Sequence, residues 1–337
     1  MKVTAVSPAN IAFIKYWGRA DNKLFIPRNN NISMTMSGCK TVTTVELGDY
    51  GRDLIEVKFF GKDYEKLERK TIKQENLYDQ VERIRDMSKD KRYVRIKSEN
   101  NFPADAGIAS SASSFSALTA ALLVVYGLKE KFFDKKELSK EIRLCGSSSA
   151  VRSVYGGFVE MIAGKGHEDT FAKQIADEKY WDLVDIVAVL DPEKKLFSSS
   201  DGHLLADTSP YFETRIVEMQ DRIKRCREAI LEKNIHKLGP IIEEDTISMH
   251  MIMMTSRPPL FYWSHGTVRI IQDLYKWRKE DNLNAYFSID AGSNVHVICE
   301  KKDAKEVRKR LKKNEFVKWT IYNEPCQGVK IINKHLF

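Results

Sequence analysis

The apolar positions of the first fifty residues follow the pattern of β-strands rather than of helices. Residues 4–17, TAVSPANIAFIKYW, are rich in β-branched and aromatic side chains, and Asp21-Asn22 supplies turn chemistry after them. The segments 31–36 and 41–47 alternate between apolar and polar residues, and Ser37-Gly38 lies between them. This arrangement predicts two strands that form a hairpin.

The next segments predict two more strands and three helices. Residues 54–61 and 92–100 have strand patterns and flank a charged, helix-like stretch at 63–89. From 103 to 126 the chain is dominated by Ala, Leu and Ser, which is typical of a buried helix. Another helix is predicted at 133–145.

The second half of the chain begins with a strongly apolar run at 182–191, which predicts a strand, and the loop SSSDGH follows it at 198–203. Three helices are predicted next, at about 209–232, 235–254 and 265–280.

Residues 285–292 and 294–300 predict a hairpin around Gly292. In residues 300–315 the apolar side chains recur at helical spacing among charged ones, which predicts an amphipathic helix. The order of elements indicates an α+β protein of two units, 1–185 and 186–337, with a boundary that depends on the strand at 184–190.

Composition and charge exclude several classes of protein. Hydrophobic residues make up 42% of the chain and charged residues 30%, as in ordinary globular proteins. No run approaches the roughly 20 apolar residues of a transmembrane helix, and the N-terminus has no signal-peptide pattern, so we expect a cytoplasmic protein that does not enter a membrane. The five cysteines are widely separated and form no C-x-x-C, which argues against a disulfide framework or a thiolate zinc site. The net charge of +8 comes from Lys and Arg interleaved with acids, so we expect no nucleic-acid partner.

The entry to the long Ala-rich helix carries the chemistry of a phosphate site. Gly107 permits a tight turn and close approach of a ligand, and Ser110 and Ser111 supply hydroxyl and amide donors where the helix begins. An Ala-rich buried helix with a serine cap explains these residues equally well. Neither G-x-x-x-x-G-K-[ST] nor G-x-G-x-x-G at a strand-to-helix turn occurs, so any ATP site would have to use this helix start.

Four segments together resemble a known family. PADAGIASSA (103–112) resembles the phosphate motif of the GHMP-kinase superfamily. SPANIAFIKYWGR (7–19), SENNFPADAGIASSA (98–112), SSSAVRSVYGGFVE (147–160) and YFSIDAGSNV (286–295) resemble the signature segments of the mevalonate diphosphate decarboxylase family, in the same order and spacing. The resemblance covers about residues 3–300.

The resemblance implies a fold and a reaction. The fold is the two-layer α+β fold of GHMP kinases, with an N-terminal ribosomal-S5-domain-2-like unit, a C-terminal ferredoxin-like unit and the active site between them. The reaction is phosphorylation of the 3-hydroxyl of mevalonate 5-diphosphate by ATP with Mg²⁺, followed by decarboxylation to isopentenyl diphosphate. Relatives of this kind are often homodimers, so a homodimer is implied.

The resemblance also assigns site residues. Asp290 matches the catalytic Asp, Lys15 the Lys beside it, and Arg152 the Arg that binds the substrate carboxylate. The other substrate-binding positions are Tyr16, Arg19, Ser147 and Ser149. The ATP-binding positions are Gly107, Ala109, Ser110, Ser111 and Ala112. No metal ligand is assigned.

Four departures from the family pattern lie on the expected substrate side. Arg19 replaces a Lys, and Asn29-Asn30-Asn31-Ile32-Ser33 replaces N-S-S-x-S. His203 follows Gly202 where the family commonly has Met. The family's Arg before the N-N-F-P segment has only Arg83 and Arg85 as candidates here.

These departures keep other functions open. The same chemistry on mevalonate 5-phosphate would yield isopentenyl phosphate. A 3-kinase that phosphorylates without decarboxylating is a second alternative, against which the joint presence of Asp290, Lys15 and Arg152 argues. A noncatalytic small-molecule binding protein and a nucleic-acid-binding protein are further alternatives from other classes.

Overall fold

The computed structural model describes residues 1–103, 110–190 and 199–337. Gly107 and Ala109 lie outside the described residues. The strands of the described ranges are β1 (Lys2–Ile14), β2 (Arg19–Asp21), β3 (Ile26–Pro27), β4 (Asn31–Gly48), β5 (Leu54–Lys58), β6 (Tyr64–Lys66), β7 (Tyr93–Asn100), β8 (Phe158–Ile162), β9 (Phe171–Ala176), β10 (Leu183–Val189), β11 (Ala285–Ser288), β12 (Val295–Glu300), β13 (Trp319–Asn323) and β14 (Lys330–Ile332).

The helices of the same ranges are α1 (Ile72–Ser88), α2 (Ser110–Val125), α3 (Lys129–Phe133), α4 (Lys135–Arg143), α5 (Ser199–Leu205), α6 (Phe212–Leu231), α7 (Ile235–Thr255), α8 (His265–Asp281) and α9 (Lys301–Leu311). None of these helices is long and apolar enough to cross a membrane.

The first sheet is built on two long antiparallel strands. Its strand order is β14-β1-β4-β7-β5-β6, and β8 and β9 extend it from β4. Helix α2 packs against β1 and β4 and is buried from Ala112 to Val125, apart from the half-buried Ser114. Small Ala and Ser side chains let this helix lie close to the sheet with no polar face, as the sequence predicts.

The predicted hairpin at Ser37-Gly38 is wrong. Strand β4 continues through these two residues, and the register shifts so that Pro8 pairs with Lys40 and Ala9 with Met36. A glycine is needed at position 38 because the Tyr322 carbonyl oxygen approaches its backbone closely, and not because the chain turns there. A Cβ at this position would lie 2.6 Å from that oxygen. The segment is therefore a bulge beside β13.

The second sheet has the order β11-β12-β10-β13. Strand β10 is buried along its whole length. Val184, Ile186 and Ala188 face a core shared with α8 and α9, whereas Leu183, Val187 and Val189 face a core shared with β1, β4, α6 and α7. The second sheet is thus a layer between helices α8 and α9 on its outer face and the first unit. The α+β fold class is confirmed.

Most of the other predicted elements of the second half are present. Helices α6, α7, α8 and α9 and the β11–β12 hairpin occur where the sequence predicts them. The predicted loop at 198–203 is wrong in part, because α5 begins at Ser199. The predicted helix at 133–145 is divided at Asp134, whose side chain accepts hydrogen bonds from the backbone of Lys136 and Glu137 and so starts a new helix.

The last strand returns to the first unit. Strand β14 pairs antiparallel with β1, with Thr4 opposite Ile332 and Val6 opposite Lys330. The boundary between 185 and 186 stays a prediction.

Candidate active site

Lys15 and Asp290 meet where the two sheets approach each other. Lys15 directly follows β1, and its Nζ donates to Asp290 Oδ1 at 2.5 Å, Ser288 Oγ at 2.8 Å and the Ala12 carbonyl oxygen at 3.1 Å. The Lys15 side chain is 3% exposed and that of Asp290 23%. A buried ammonium is stable only with such partners. The pair therefore places a fixed cation behind a carboxylate that solvent still reaches.

The electrostatic surroundings keep Asp290 ionised. Burial by itself would raise the pKa of Asp290, but the charges of Lys15, His296 and Arg152 and the Lys15 hydrogen bond outweigh burial and lower that pKa. Asp290 is consequently a carboxylate at neutral pH, able to accept a hydrogen bond from a hydroxyl.

Arg152 is held by two asparagines. It lies in a 3₁₀ turn at Ala150–Ser153, and it donates from Nε to Asn10 Oδ1 at 3.2 Å and from Nη1 to Asn31 Oδ1. Burial lowers the pKa of Arg152 to about 10, and Tyr16 and Asp290 act in the opposite direction. The guanidinium is therefore protonated at neutral pH. Its Nη2 makes no hydrogen bond to any described residue.

The serines before Arg152 form a small hydroxyl cluster. Ser147 Oγ lies 2.7 Å from Ser149 Oγ. The Ser149 carbonyl oxygen accepts from Asn10 Nδ2 at 3.0 Å, and Ser153 Oγ accepts from the same amide nitrogen at 2.8 Å. Asn10, on β1, thus forms hydrogen bonds both to these serines and to Arg152, and it fixes their positions relative to the strand.

The segment after Lys15 wraps around His203. The Tyr16 ring stacks on the His203 ring with 4.6 Å between centroids, and the Trp17 ring lies 4.4 Å away. His203 Nδ1 accepts a hydrogen bond from the Gly18 backbone at 3.2 Å. Burial, and next the charge of Arg19, lowers the pKa of His203 well below its usual value. His203 is therefore a neutral acceptor.

The remaining residues of this segment have separate surroundings. The Arg19 guanidinium lies 4.9 Å from the centre of the Phe25 ring. Trp17 is 2% exposed and belongs to a core cluster with α5, α6 and α7.

The described part of the predicted ATP site is the start of α2. Ser110 and Ser111 are half-buried in its first turn and Ala112 is buried. This 16-residue helix has no acidic residue in its first turn, so the positive end of its dipole is not neutralised. Ser113 Oγ lies 2.6 Å from Thr41 Oγ1, which fixes the turn to β4. These features fit a bound phosphate.

Among the residues described, no group of three or more His, Cys, Asp or Glu side chains could hold a metal ion. Mg²⁺ commonly takes most of its ligands from water and nucleotide phosphates and needs few protein side chains. The described residues therefore fit a magnesium ion that is bound mainly through ATP.

Arg83 and Arg85, the candidates for the missing family Arg, make other contacts. Arg83 pairs with Glu141, and Arg85 pairs with Asp53 and donates to Tyr126 Oη at 3.2 Å. Both lie on α1 and take part in packing that helix against its neighbours.

Sequence reasoning missed Asn10 and Ser288, although both lie within the signature segments. The available signal was a polar side chain among buried strand residues. Asn31 is among the departures from the family pattern, and its contact with Arg152 was not predicted.

Two family models cover most of the chain. Residues 7–172 match the model described as the diphosphomevalonate decarboxylase-like N-terminal domain, and residues 185–332 match the mevalonate 5-diphosphate decarboxylase C-terminal domain.

Two similar proteins are named diphosphomevalonate decarboxylase. The diphosphomevalonate decarboxylase of Candida albicans is 33% identical over 322 residues, covering 92% of this chain and 88% of the relative. The human protein of that name is 30% identical over 88% of this chain and 76% of its own length.

Solved structures agree with the fold. Mevalonate diphosphate decarboxylase from Staphylococcus aureus superimposes with a TM-score of 0.88 at 30% identity and 98% coverage of both chains. A complex of the protein designated MDDEF with MVAPP, AMPPCP and magnesium gives 0.87 at 29% identity and 99% coverage of both chains.

Proposed function

Because the chain belongs to the diphosphomevalonate decarboxylase family, we propose that it converts mevalonate 5-diphosphate and ATP into isopentenyl diphosphate, ADP, phosphate and carbon dioxide. The observation that carries this proposal is the contact of Lys15 with Asp290 beside the guanidinium of Arg152. ATP supplies the phosphoryl group that makes the 3-oxygen a leaving group, and Mg²⁺ neutralises charge on the phosphates.

Asp290 orients the 3-hydroxyl and accepts its proton as the oxygen attacks the γ-phosphorus. An ionised carboxylate at this position is suited to the task, because its pKa is held low by the surrounding cations. Lys15 holds Asp290 in place and stabilises the negative charge that develops on the oxygens in transfer.

Arg152 binds the substrate carboxylate. Its planar guanidinium suits a carboxylate. Asn10 accepts from Nε and Asn31 accepts from one N–H of Nη1, so that Nη2 and the second N–H of Nη1 are left for the substrate. When the 3-phosphate leaves, the electrons of the breaking carbon–carboxylate bond form the double bond, and carbon dioxide departs from the guanidinium.

Hydroxyl and cationic side chains bind the 5-diphosphate. Ser147 and Ser149 supply hydroxyls 2.7 Å apart, and Arg19 and Tyr16 supply a cation and a phenol from the segment after Lys15. The first turn of α2, with Ser110, Ser111 and Ala112, binds the ATP phosphates, together with Gly107 and Ala109.

The reaction is proposed to occur in the cytoplasm, in a homodimer. All five cysteines are free and four are buried, which suits a reducing compartment. Light scattering of the purified protein would test the homodimer.

The experiment supplies mevalonate, its 5-phosphate or its 5-diphosphate with ATP and magnesium, and measures ADP and carbon dioxide together. Equal amounts of both products with the diphosphate alone support the proposal. The same result with the monophosphate would move the protein to isopentenyl phosphate synthesis. ADP without carbon dioxide would make it a 3-kinase.

A matched pair of variants connects the activity to the site. Asp290→Asn is expected to lower the rates at which ADP and carbon dioxide form by about 10²–10⁴-fold, the range of general acid–base contributions. Asp221→Asn, which changes an exposed carboxylate on α6, is expected to leave both products unchanged. Full activity of Asp290→Asn would contradict the assignment of Asp290.

A further inference from the structure

The peptide groups of Lys15 lie against a fully buried ion pair. Arg215 of α6 and Asp245 of α7 have side chains with no exposed surface, and Arg215 Nη2 lies 3.0 Å from Asp245 Oδ1. Arg222, also on α6, contacts the same oxygen from Nη1 at 3.3 Å. The carboxylate is thus enclosed by two guanidinium groups.

Both members of the ion pair bond to the backbone of Lys15. The Lys15 N–H donates to Asp245 Oδ2 at 2.7 Å. Arg215 Nη2 donates to the Lys15 carbonyl oxygen at 3.2 Å, and Asn29 Nδ2 donates to the same oxygen at 3.1 Å. Because β1 ends at Ile14, these bonds replace the ladder that would otherwise satisfy a buried peptide group.

The ion pair is not well explained by stability alone. Removing two charges from water costs free energy that well-packed apolar side chains would avoid. Within the described part of the chain, the buried Arg215 Nε also has no hydrogen-bond partner. An arrangement that is costly in these respects yet gives Lys15 two hydrogen bonds points to a role in placing that residue.

The ion pair and Asp290 belong to the same half of the chain. Helices α6 and α7 pack on each other and α7 packs on β11, the strand that ends two residues before Asp290. Lys15 comes from the other half. Lys15 Nζ can contact Asp290 only if the Lys15 backbone keeps its position relative to α6 and α7.

We propose that Arg215 and Asp245 are positioning residues, which hold the Lys15 backbone so that its ammonium contacts the Asp290 carboxylate. The inference rests on the roles of Lys15 and Asp290 in the proposed function. Without the ion pair, Lys15 would withdraw from Asp290, and the carboxylate would lose its nearest cation.

The loss of that cation has a measurable effect on Asp290. The titratable and charged groups around its carboxylate are Lys15 at 2.5 Å, Arg152, His296 and His250. Burial favours the protonated acid, and Lys15 is the largest influence in the opposite direction. Withdrawal of Lys15 therefore raises the pKa of Asp290 and moves the acid limb of the activity profile to higher pH.

The test is the double variant Arg215→Met/Asp245→Asn in the full chain. Changing both residues avoids an unpaired buried charge at either position and also removes the unpartnered Arg215 Nε. The matched control is Arg225→Met/Asp221→Asn, which removes an exposed ion pair of 2.6 Å from the same helix.

The proposal expects kcat of the test variant, per folded molecule, to fall at least tenfold. The KM for ATP should stay within about threefold, and the acid limb of kcat/KM should move upward by at least half a pH unit. The control should match the unchanged protein. If the double variant does not fold, Arg215→Lys keeps the charge but loses the planar fork, and it should show the same shift in smaller degree.

A purely structural role predicts a lower melting temperature with an unshifted pH profile per folded molecule, and this result would overturn the proposal. Failure of the proposed function is distinguishable, because the unchanged protein would then release no carbon dioxide from mevalonate 5-diphosphate.

Discussion

Asn31 accepts a hydrogen bond from Nη1 of Arg152, although Asn31 is one of the positions at which the chain departs from its family. The amide that replaces a hydroxyl is 121 residues from Arg152 in sequence and lies at the first position of β4. Together with Asn10 on β1, it fixes the plane of the guanidinium from two adjacent strands. The departure thus supplies a contact inside the site.

Arg152→Lys should separate charge from shape at this position. A lysine keeps the positive charge but cannot bond Asn10, Asn31 and a carboxylate in one plane. Loss of one charge-assisted hydrogen bond corresponds to about 10–100-fold in kcat/KM for the acid substrate. The KM for ATP should be unchanged.

Arg225→Lys, on an exposed guanidinium of α6, serves as the control. Equal kcat/KM values for Arg152→Lys and the control would show that Arg152 does not bind the substrate through its fork.

The sequence could supply the proposed catalytic residues because the segments that carry the family resemblance are contiguous stretches of chain. Lys15, Arg152 and Asp290 each lie within one, and the order of helices in the second half follows from apolar periodicity. Contacts between distant segments were not predictable in this way. Ser37-Gly38 carries a turn signal, yet the glycine is there because the Tyr322 carbonyl oxygen approaches it.

Buried polar partners were missed for the same reason. Asp245 lies in a helix whose pattern indicates only packing, and its bond to the Lys15 backbone joins residues 230 positions apart. No local sequence pattern predicts a hydrogen bond between residues so far apart in the chain.

His203→Met, which restores the common family residue, should weaken substrate binding at the adjoining segment. It removes the acceptor of the Gly18 N–H and the ring stacked on Tyr16. One neutral hydrogen bond is worth about 1 kcal/mol, so the KM for the diphosphate substrate should rise about fivefold with little change in kcat. His236→Met on α7 is a control at an exposed position. A KM that stays unchanged in both variants would contradict this role.

His296 should make stability depend on pH above 6.5. Its Nδ1 lies 3.1 Å from both carboxylate oxygens of Asp185, and both side chains are fully buried. Burial lowers the pKa of His296, but the Asp185 charge and hydrogen bond outweigh burial, and the net pKa is raised above 6.5. The stabilisation is therefore complete below pH 6.5 and is lost as pH rises through the raised pKa.

The check is the melting temperature of the protein between pH 6 and 9. The melting temperature should fall less between pH 6 and 9 in His296→Gln than in the unchanged protein. In His236→Gln it should fall as much as in the unchanged protein. Identical slopes in all three proteins would show that the His296–Asp185 pair does not titrate in this range.

Gly239→Ala should destabilise the contact of α7 with β11. A Cβ at Gly239 would lie 2.3 Å from ring atoms of Tyr286. The overpacking costs about 1–3 kcal/mol in free energy of unfolding, and the helix propensity of alanine offsets roughly 1 kcal/mol of that cost, so we expect a net loss of up to about 2 kcal/mol.

Gly166→Ala is the matched control, because its Cβ would meet only Asp169 Oδ1 at 3.8 Å. Its free energy of unfolding should change by no more than about 0.5 kcal/mol. Urea denaturation of both variants measures the difference, and equal stability would mean that Tyr286 moves aside without cost.

The pairing of β14 with β1 has a consequence for synthesis on the ribosome. Strand β1 leaves the ribosome long before its partner at Lys330–Ile332, because the paired residues Thr4 and Ile332 are 328 positions apart in sequence. Until then the backbone of Thr4–Val6 is an open sheet edge, which can pair with another nascent chain. The first sheet therefore cannot be completed until Lys330–Ile332 have been synthesised, and chaperones that bind extended segments have a long opportunity at strand β1.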